Sequence, residues 1–382
     1  MKNKMVRRSA AVIPLLMMPA LAEPATFTPI GAELPPGDFM LNDVSADGSV
    51  ITGYLPGIPS RAFRWTAATG FVGLGSVLPS ETSIGRAISD DGNTIVGLSN
   101  GEAFRWTPAG GMVGLGNLNE FSEGATGVSA DGQVVVGIIG GQSSAAIWSG
   151  GSITLLDPLP TGSSSAAFGV SGDGQVVVGR SSRELEVEGP VNEATRWVNG
   201  VPAGLGDLPG WDYWSRAEAA SADGSVIVGW SRAAYSIDGG EGEIELEAAF
   251  RWTPVGGMVA LDSQFANSRA LDVSADGNVI VGNREGTGAT VWINGGEGQS
   301  LFDLLVAQGA TGLDGWSLGA TAISADGRTI IGMGYGPDPN VQLGWVATID
   351  TAVVPAPPAF ALLASAVGAL AGWTWRKSSG RP

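Results

Sequence analysis

Along the middle of the chain, short runs of Val, Ile and Ala alternate with clusters of Gly, Ser, Asp and Asn. No stretch there sustains a 3.6-residue period. Such runs predict β-strands bounded by turns. The pattern is also written over and over. VSADGSVITG at 44–53 returns as ISDDGNTIVG at 88–97, VSADGQVVVG at 128–137 and VSGDGQVVVG at 170–179. It returns again as ASADGSVIVG at 220–229, VSADGNVIVG at 273–282 and ISADGRTIIG at 323–332.

The aspartates of these phrases are Asp47, Asp91, Asp131, Asp173, Asp223, Asp276 and Asp326, spaced by 44, 40, 42, 50, 53 and 50 residues. That period suits a four-stranded blade. The first strand ends at the Val/Ile-Ser of the phrase, an Asp-Gly turn follows, and the Val/Ile run is the second strand. The third carries AFRWT at 62–66, 103–107 and 249–253, with shorter versions such as AAIW, ATRW, ATVW and LGW elsewhere. The fourth is FVGLG or MVGLG, with SITLL, VPAGLG, MVAL and SLFDL in later repeats.

The expectation is an all-β, seven-bladed propeller over residues 23–350. The seventh repeat runs past Trp345 into a proline-rich tail without its own fourth strand. TFTPIGAELPPG at 26–37 reads as a lone fourth strand that should pair beside Trp345 and close the ring, removing an exposed edge. The seven repeated tryptophans, Trp65, Trp106, Trp148, Trp197, Trp252, Trp292 and Trp345, are expected to pack between blades. The seven phrase aspartates are expected to serve the turns. Sugar platforms and calcium ligands are the competing readings of these two sets.

Composition narrows the chemistry. There is no histidine and no cysteine, which removes His-based general bases, thiolate nucleophiles, disulfides and the usual zinc sites. Between residues 23 and 375 stand 13 Arg and no Lys against 37 Asp plus Glu. A surface so acidic repels nucleic acid, so no nucleic-acid partner is expected.

The ends carry address-like segments. Residues 1–22 place Lys2, Lys4, Arg7 and Arg8 before an apolar core and an Ala20-Leu21-Ala22 cleavage signal, the pattern of a signal peptide. Residues 351–382 place Val354, Pro355 and Pro357 before an apolar run at 359–375, long enough to span as a helix, and then the basic Arg376 and Lys377. This tail resembles the PEP-CTERM sorting signal of Gram-negative bacteria, with alanine where the commonest motif has glutamate. The resemblance implies transient inner-membrane insertion through the helix, processing by an exosortase-type enzyme, and delivery to the cell surface or exopolysaccharide matrix. A plain membrane anchor is the alternative.

Residues 40–350 resemble the HAF-repeat family of extracellular bacterial proteins through their Val-Ser-x-Asp-Gly and Phe-Arg-Trp signatures. Where that family has His-Ala-Phe, this chain reads Arg61-Ala62-Phe63, Glu102-Ala103-Phe104 and Ala248-Ala249-Phe250. The resemblance implies an exported β-repeat protein and brings no activity with it.

Candidate sites are sought where the repeat is broken. SSRELEVEGPVNEA (181–194) and SRAAYSIDGGEGEIELEA (231–248) are long second-to-third connections whose alternation suggests hairpin extensions. Glu184, Glu186, Glu188, Asp238, Glu241 and Glu243 are candidate Ca²⁺ ligands there, with a solvated acidic face as the alternative and no other cofactor expected. Trp211, Tyr213 and Trp214, outside the repeating pattern, with Trp230 and Trp316, are candidate ligand-binding aromatics; wedging between blades is the alternative. The functional expectation is a non-catalytic scaffold of the cell surface or exopolysaccharide matrix that binds a carbohydrate or a protein. The alternative is a glycosidase or lyase acting on the same matrix through paired carboxylates.

Overall fold

The computed structural model describes residues 24–34, 39–57, 59–79, 81–116, 124–140, 143–185, 189–211, 214–236, 243–263 and 267–351. The signal-like segment and the C-terminal apolar run lie outside these residues. No helix among the described residues is long and apolar enough to cross a membrane.

The described chain is antiparallel sheet after antiparallel sheet. β1 (Thr26–Ile30) stands apart from its sequence neighbours. Four-stranded sheets then follow: β2 (Met40–Val44), β3 (Ile51–Leu55), β4 (Arg61–Thr66) and β5 (Gly70–Gly73); β6 (Ser83–Ile88), β7 (Ile95–Ser99), β8 (Glu102–Thr107) and β9 (Gly111–Gly114); β10 (Gly124–Val128), β11 (Val135–Ile139), β12 (Ser144–Ser149) and β13 (Ser152–Leu156). Next come β14 (Ser165–Val170), β15 (Val176–Leu185), β16 (Gly189–Val198) and β17 (Val201–Gly206), then β18 (Trp214–Ala220), β19 (Ile227–Ser236), β20 (Glu243–Thr253) and β21 (Gly257–Ala260). β22 (Ser268–Val273), β23 (Val279–Arg284), β24 (Gly288–Ile293) and β25 (Gln299–Ser300) form another sheet, followed by helix α1 (Leu301–Ala307). β26 (Ser317–Ile323), β27 (Thr329–Tyr335) and β28 (Gln342–Thr348) end the series.

Two expectations are corrected. Seven separate blades are expected, but five four-stranded sheets stand alone and β14–β21 form one eight-stranded sheet. Long β15–β16 and β19–β20 hairpins grow out of repeats four and five, and a single parallel bridge from Asn192 to Trp214 fuses the two halves. SLFDL is expected as a strand, yet only Gln299 and Ser300 pair with β24. The Ser300 hydroxyl then accepts the Asp303 N–H and starts α1. Leu301, Leu304 and Leu305, at helical spacing, are its buried face.

Closure follows the expected route. β1 pairs with β28 in the register Thr26↔Thr348 through Pro29↔Trp345 to Ile30↔Gly344. Proline is tolerated there because β1 is the outer edge of its sheet. Phe27 packs edge-on to Trp316, ring centroids 5.1 Å apart, and lies 6.2 Å from Trp345. Of the repeated tryptophans, Trp197, Trp292 and Trp345 are fully buried, Trp148 and Trp252 nearly so, and Trp65 and Trp106 are half-buried.

The phrase itself is a hydrogen-bonded unit. In VSADGQVVVG, the Ser129 hydroxyl donates to Asp131 Oδ1 (2.7 Å) and accepts from the Val134 N–H (3.0 Å). Asp131 Oδ1 also accepts from the Gln133 N–H. The same three bonds recur at Asp47, Asp91, Asp173, Asp223, Asp276 and Asp326. Backbone bonds then join turn to turn: Ala46 N to Asp90 O, Asp90 N to Ala130 O, Ala130 N to Gly172 O, and Asp173 N to Ala222 O. Ala222 N to Ala275 O, Ala275 N to Ala325 O and Asp326 N to Ala46 O complete the circle. One face of the ring is thus a continuous collar of backbone hydrogen bonds.

Each first strand carries a β-bulge, and the glycine that ends the phrase faces it. Register slips at Asn42, Arg86, Thr126, Phe168, Glu218, Leu271 and Thr321, leaving each without a partner across the pair. The bulge pushes a carbonyl toward the second strand. A Cβ on Gly53, Gly97, Gly137, Gly179, Gly229, Gly282 or Gly332 would lie under 3.0 Å from such a carbonyl oxygen. Because that oxygen belongs to backbone, it cannot swing away. Gly179→Ala is therefore expected to destabilise the fold by about 3 kcal/mol or more. Gly73→Ala, where an added Cβ meets nothing within 4 Å, should change stability by less than about 1 kcal/mol. Denaturant unfolding of both variants checks this; equal effects would refute the steric account.

Candidate functional site: a channel lined by bulged side chains

The first strands face the ring's axis and enclose a channel of about 820 Å³. A bulge re-aims its extra side chain, and here all seven bulge residues line the channel: Asn42, Arg86, Thr126, Phe168, Glu218, Leu271 and Thr321. All seven are half-buried. Several are anchored to the frame. Asn42 Nδ2 donates to Gly85 O (2.6 Å) and Thr126 Oγ1 to Ala167 O (2.9 Å), each reaching the next first strand. Glu218 accepts from Trp230 Nε1 (2.9 Å) and pairs with Arg216, whose guanidinium lies 3.6 Å from the Phe168 ring centroid.

Two carboxyls stand beside these bulges. Asp43 Oδ1 accepts the Val44 N–H and its Oδ2 accepts the Ile88 N–H of β6, both at 2.8 Å. Asp272 repeats this with Val273 and with Ile323 of β26. Burial pushes the Asp43 carboxyl up to about 8, helped by the charges of Asp272 and Asp90 and opposed by its two N–H donors. Burial likewise raises Asp272 to about 6 against its own N–H bonds. Burial and the neighbouring Asp91 raise Asp90.

The expected aromatic site is partly assembled and partly corrected. Trp211 is only 2% exposed and packs in the core of repeats four and five, so it offers no open face. Trp230 is also buried. Trp214 is half-buried and stacks on Trp230 at 4.5 Å and 34°. Arginines cover this pair: Arg180 and Arg232 lie 5.5 and 5.6 Å from the Trp214 ring, and Arg269 lies 4.3 Å from Trp230. Trp316 is not with them; it packs against Phe27 at the closing sheet. Tyr213 lies outside the described residues.

Two of the six expected calcium ligands, Glu184 and Glu243, fall on described residues. Glu186, Glu188, Asp238 and Glu241 lie outside the described residues, Glu184 is exposed, and Glu243 begins β20. Among the described residues no cluster of acidic side chains is placed to hold a metal ion. The acid held by arginines here is Glu247. Burial works against its charge, but hydrogen bonds from Arg269 and Arg232 outweigh it and hold the carboxyl below its ordinary range. Two third-strand arginines bond turn carbonyls: Arg64 Nε donates to Gly92 O and Arg105 Nε to Gly132 O, both at 3.3 Å.

Sequence reasoning missed the channel ring, although a signal was present. Three residues before the serine of each phrase stand Asn, Arg, Thr, Phe, Glu, Leu and Thr. This varied column stands two positions before the most uniform stretch of the chain.

A ring of antiparallel sheets around an axial channel, closed by pairing the two ends of the chain, defines a β-propeller. Among solved structures, the chain is similar to the Cps50 (Swd1) β-propeller domain of Myceliophteria thermophila, at 9% identity over 86% of this chain and 100% of that one, with a TM-score of 0.52. It also matches hydrazine synthase of Kuenenia stuttgartiensis, at 13% identity over 83% and 97% of the two chains (TM-score 0.47). TolB from Acinetobacter baumannii matches at 11% identity over 82% of this chain and 63% of that one (TM-score 0.40). At such identities the likeness shows the fold alone. No protein-family model and no curated protein matches the sequence.

The titrations have opposite signs. Asp43 and Asp272 hold protons in the fold that the unfolded chain releases above its ordinary value of 3.8. Their contribution to stability therefore falls as pH rises from about 4 toward 8. Turn hydrogen bonds lower Asp47, Asp91, Asp131 and Asp223, whose contribution is lost as pH falls below the ordinary value. Thermal unfolding across this range should show a maximum near about pH 4–5 and a decline toward pH 8. The double variant Asp43→Asn/Asp272→Asn should flatten the alkaline slope. A wild-type melting temperature that rises from pH 5 to 8 would refute the assignment.

Proposed function

We propose that this protein is an exported, non-catalytic binding scaffold of the cell surface or exopolysaccharide matrix of a Gram-negative bacterium. In this reading the eight-stranded sheet counts as two blades, giving a seven-bladed ring. The seven turn-to-turn hydrogen bonds support that count. The observation that carries the binding role is the division within each repeat: a uniform phrase builds the frame, while the adjoining bulge residue varies from repeat to repeat and faces a channel. Fixed frames with variable linings are the physical form of a recognition site.

The export reading rests on the signal-like residues 1–22, the PEP-CTERM-like tail at 351–382, and the resemblance to HAF-repeat proteins. An exosortase-type enzyme would process the tail, and the ligand is an exopolysaccharide or a surface protein. Binding is favoured over catalysis because Asp43 and Asp272 each commit both oxygens to backbone N–H groups. That arrangement suits stitching of neighbouring sheets, not proton transfer.

The test is co-sedimentation of the full chain with the producing organism's own exopolysaccharide, with calcium and with chelator. The expected result is binding with no change in polymer length. A folded protein that stays in the supernatant under both conditions would refute the carbohydrate reading and leave a protein partner. Progressive shortening of the polymer would refute the non-catalytic reading instead.

A further inference from the structure

We propose that the axial channel is a binding site for the terminal units of an uncharged oligosaccharide, read by the seven bulge side chains. This inference rests on the carbohydrate half of the function proposed above and names the site and the form of the ligand.

The channel is of the size used for small ligands, about 300–1,000 Å³, at about 820 Å³. Its wall carries four carboxyls and two arginines. Asp43, Arg86 and Asp90 lie on one side, Arg216 and Glu218 on another, and Asp272 near the closing sheet. Three of the four carboxyls are already partnered within the wall, Asp43 and Asp272 by backbone N–H groups and Glu218 by Arg216. A site for a simple cation would keep its carboxylates free to meet the ion. What the wall does present is closely spaced donors and acceptors, interleaved with apolar surface from Met40, Ile84, Ile138 and Leu271. Vicinal hydroxyls on a ring with apolar C–H faces match both halves of that lining.

Pre-organisation supports the assignment. Asn42, Thr126 and Glu218 are each fixed by a hydrogen bond to a neighbouring strand or side chain before any ligand arrives. Thr321 is tied to Ile331 O. A ring held in this way loses little side-chain entropy on binding. The site is also concave and encircled by sheets on every side. It therefore takes the end of a chain, whereas an open groove along the surface would take an internal stretch.

The probes are the intact exopolysaccharide and a pool of two- to four-unit fragments made from it, titrated calorimetrically into the full chain. Leu271 is half-buried on the channel wall and its side chain has no polar atom, so Leu271→Trp fills the channel without removing a side-chain hydrogen bond. Both fragments and polymer should bind the wild type. Leu271→Trp should weaken both by at least about tenfold, equivalent to about 1.4 kcal/mol. Trp214→Ala, outside the channel lining, should stay close to wild type. Thr321→Trp occludes from a different wall and carries the test if Leu271→Trp does not fold. Methyl NMR of the wild type adds a reading that needs no variant: Thr126 and Thr321 methyl signals should shift when fragments are added.

Folded occluding variants that bind as wild type, or Thr methyls that stay still while fragments bind elsewhere, would overturn the channel site and leave the carbohydrate reading standing. Polymer binding without fragment binding would overturn the terminal-unit claim. A wild type that binds neither would overturn this inference together with the carbohydrate reading.

Discussion

The contact on which the rest depends is a backbone carbonyl pressed against a glycine. In every repeat the first strand bulges, and the displaced oxygen fills the place where the second strand's side chain would be. The bulge turns one side chain toward the axis, and the glycine lets the bulge exist. Neither works alone. Without the glycine, the strands would have to part or the bulge would have to flatten, and the channel would lose that side chain. This is why a residue that weakens most strands ends the phrase seven times.

The other end of the phrase does complementary work. Ser and Asp tie the turn to itself, and the turns tie to one another around the axis. Hydrogen-bonded backbone makes no use of side-chain identity, so the collar can be the same in every repeat. The residue between the collar and the paired strand is then free to vary, because its position is set by main-chain geometry on both sides. The frame and the lining are separate inheritances of one ten-residue unit and the residues just before it.

That separation also sets what was legible in the sequence. The phrase, the strand order, the long acidic hairpins and the closing strand all leave periodic or compositional marks, and the pairing of Pro29 with Trp345 follows from a missing fourth strand. A bulge leaves no such mark. It breaks the two-residue alternation for one position, so Asn42 or Thr126 looks like noise beside a strand. The attention drawn to Trp211 had the reverse cause: a residue outside the repeat looks exposed, yet a broken repeat leaves a gap that a large ring fills. Helix α1 was hidden by length, since one turn of Leu301, Leu304 and Leu305 reads equally well as a short apolar strand. The fusion of repeats four and five turns on a single bridge that only the full length of the hairpins brings into range.

Asp43 and Asp272 show where the frame is under most demand. Among the described residues, one sheet draws strands from both ends of the repeat array, and it is the one that fraying there can open. Asp272 ties the preceding first strand to β26 of that sheet, and Asp43 ties the first strand that follows it to the next one along. The other repeats place alanine or glycine at this position. Burying a carboxyl opposes folding unless its bonds compensate, and the upward shift of both acids shows that here the compensation is incomplete. The ring accepts that penalty in the sheets flanking its closing sheet, where each carboxyl adds a side-chain tie between neighbouring first strands. The same two acids narrow the chemistry of the channel, because oxygens committed to the backbone are held in place as part of the wall.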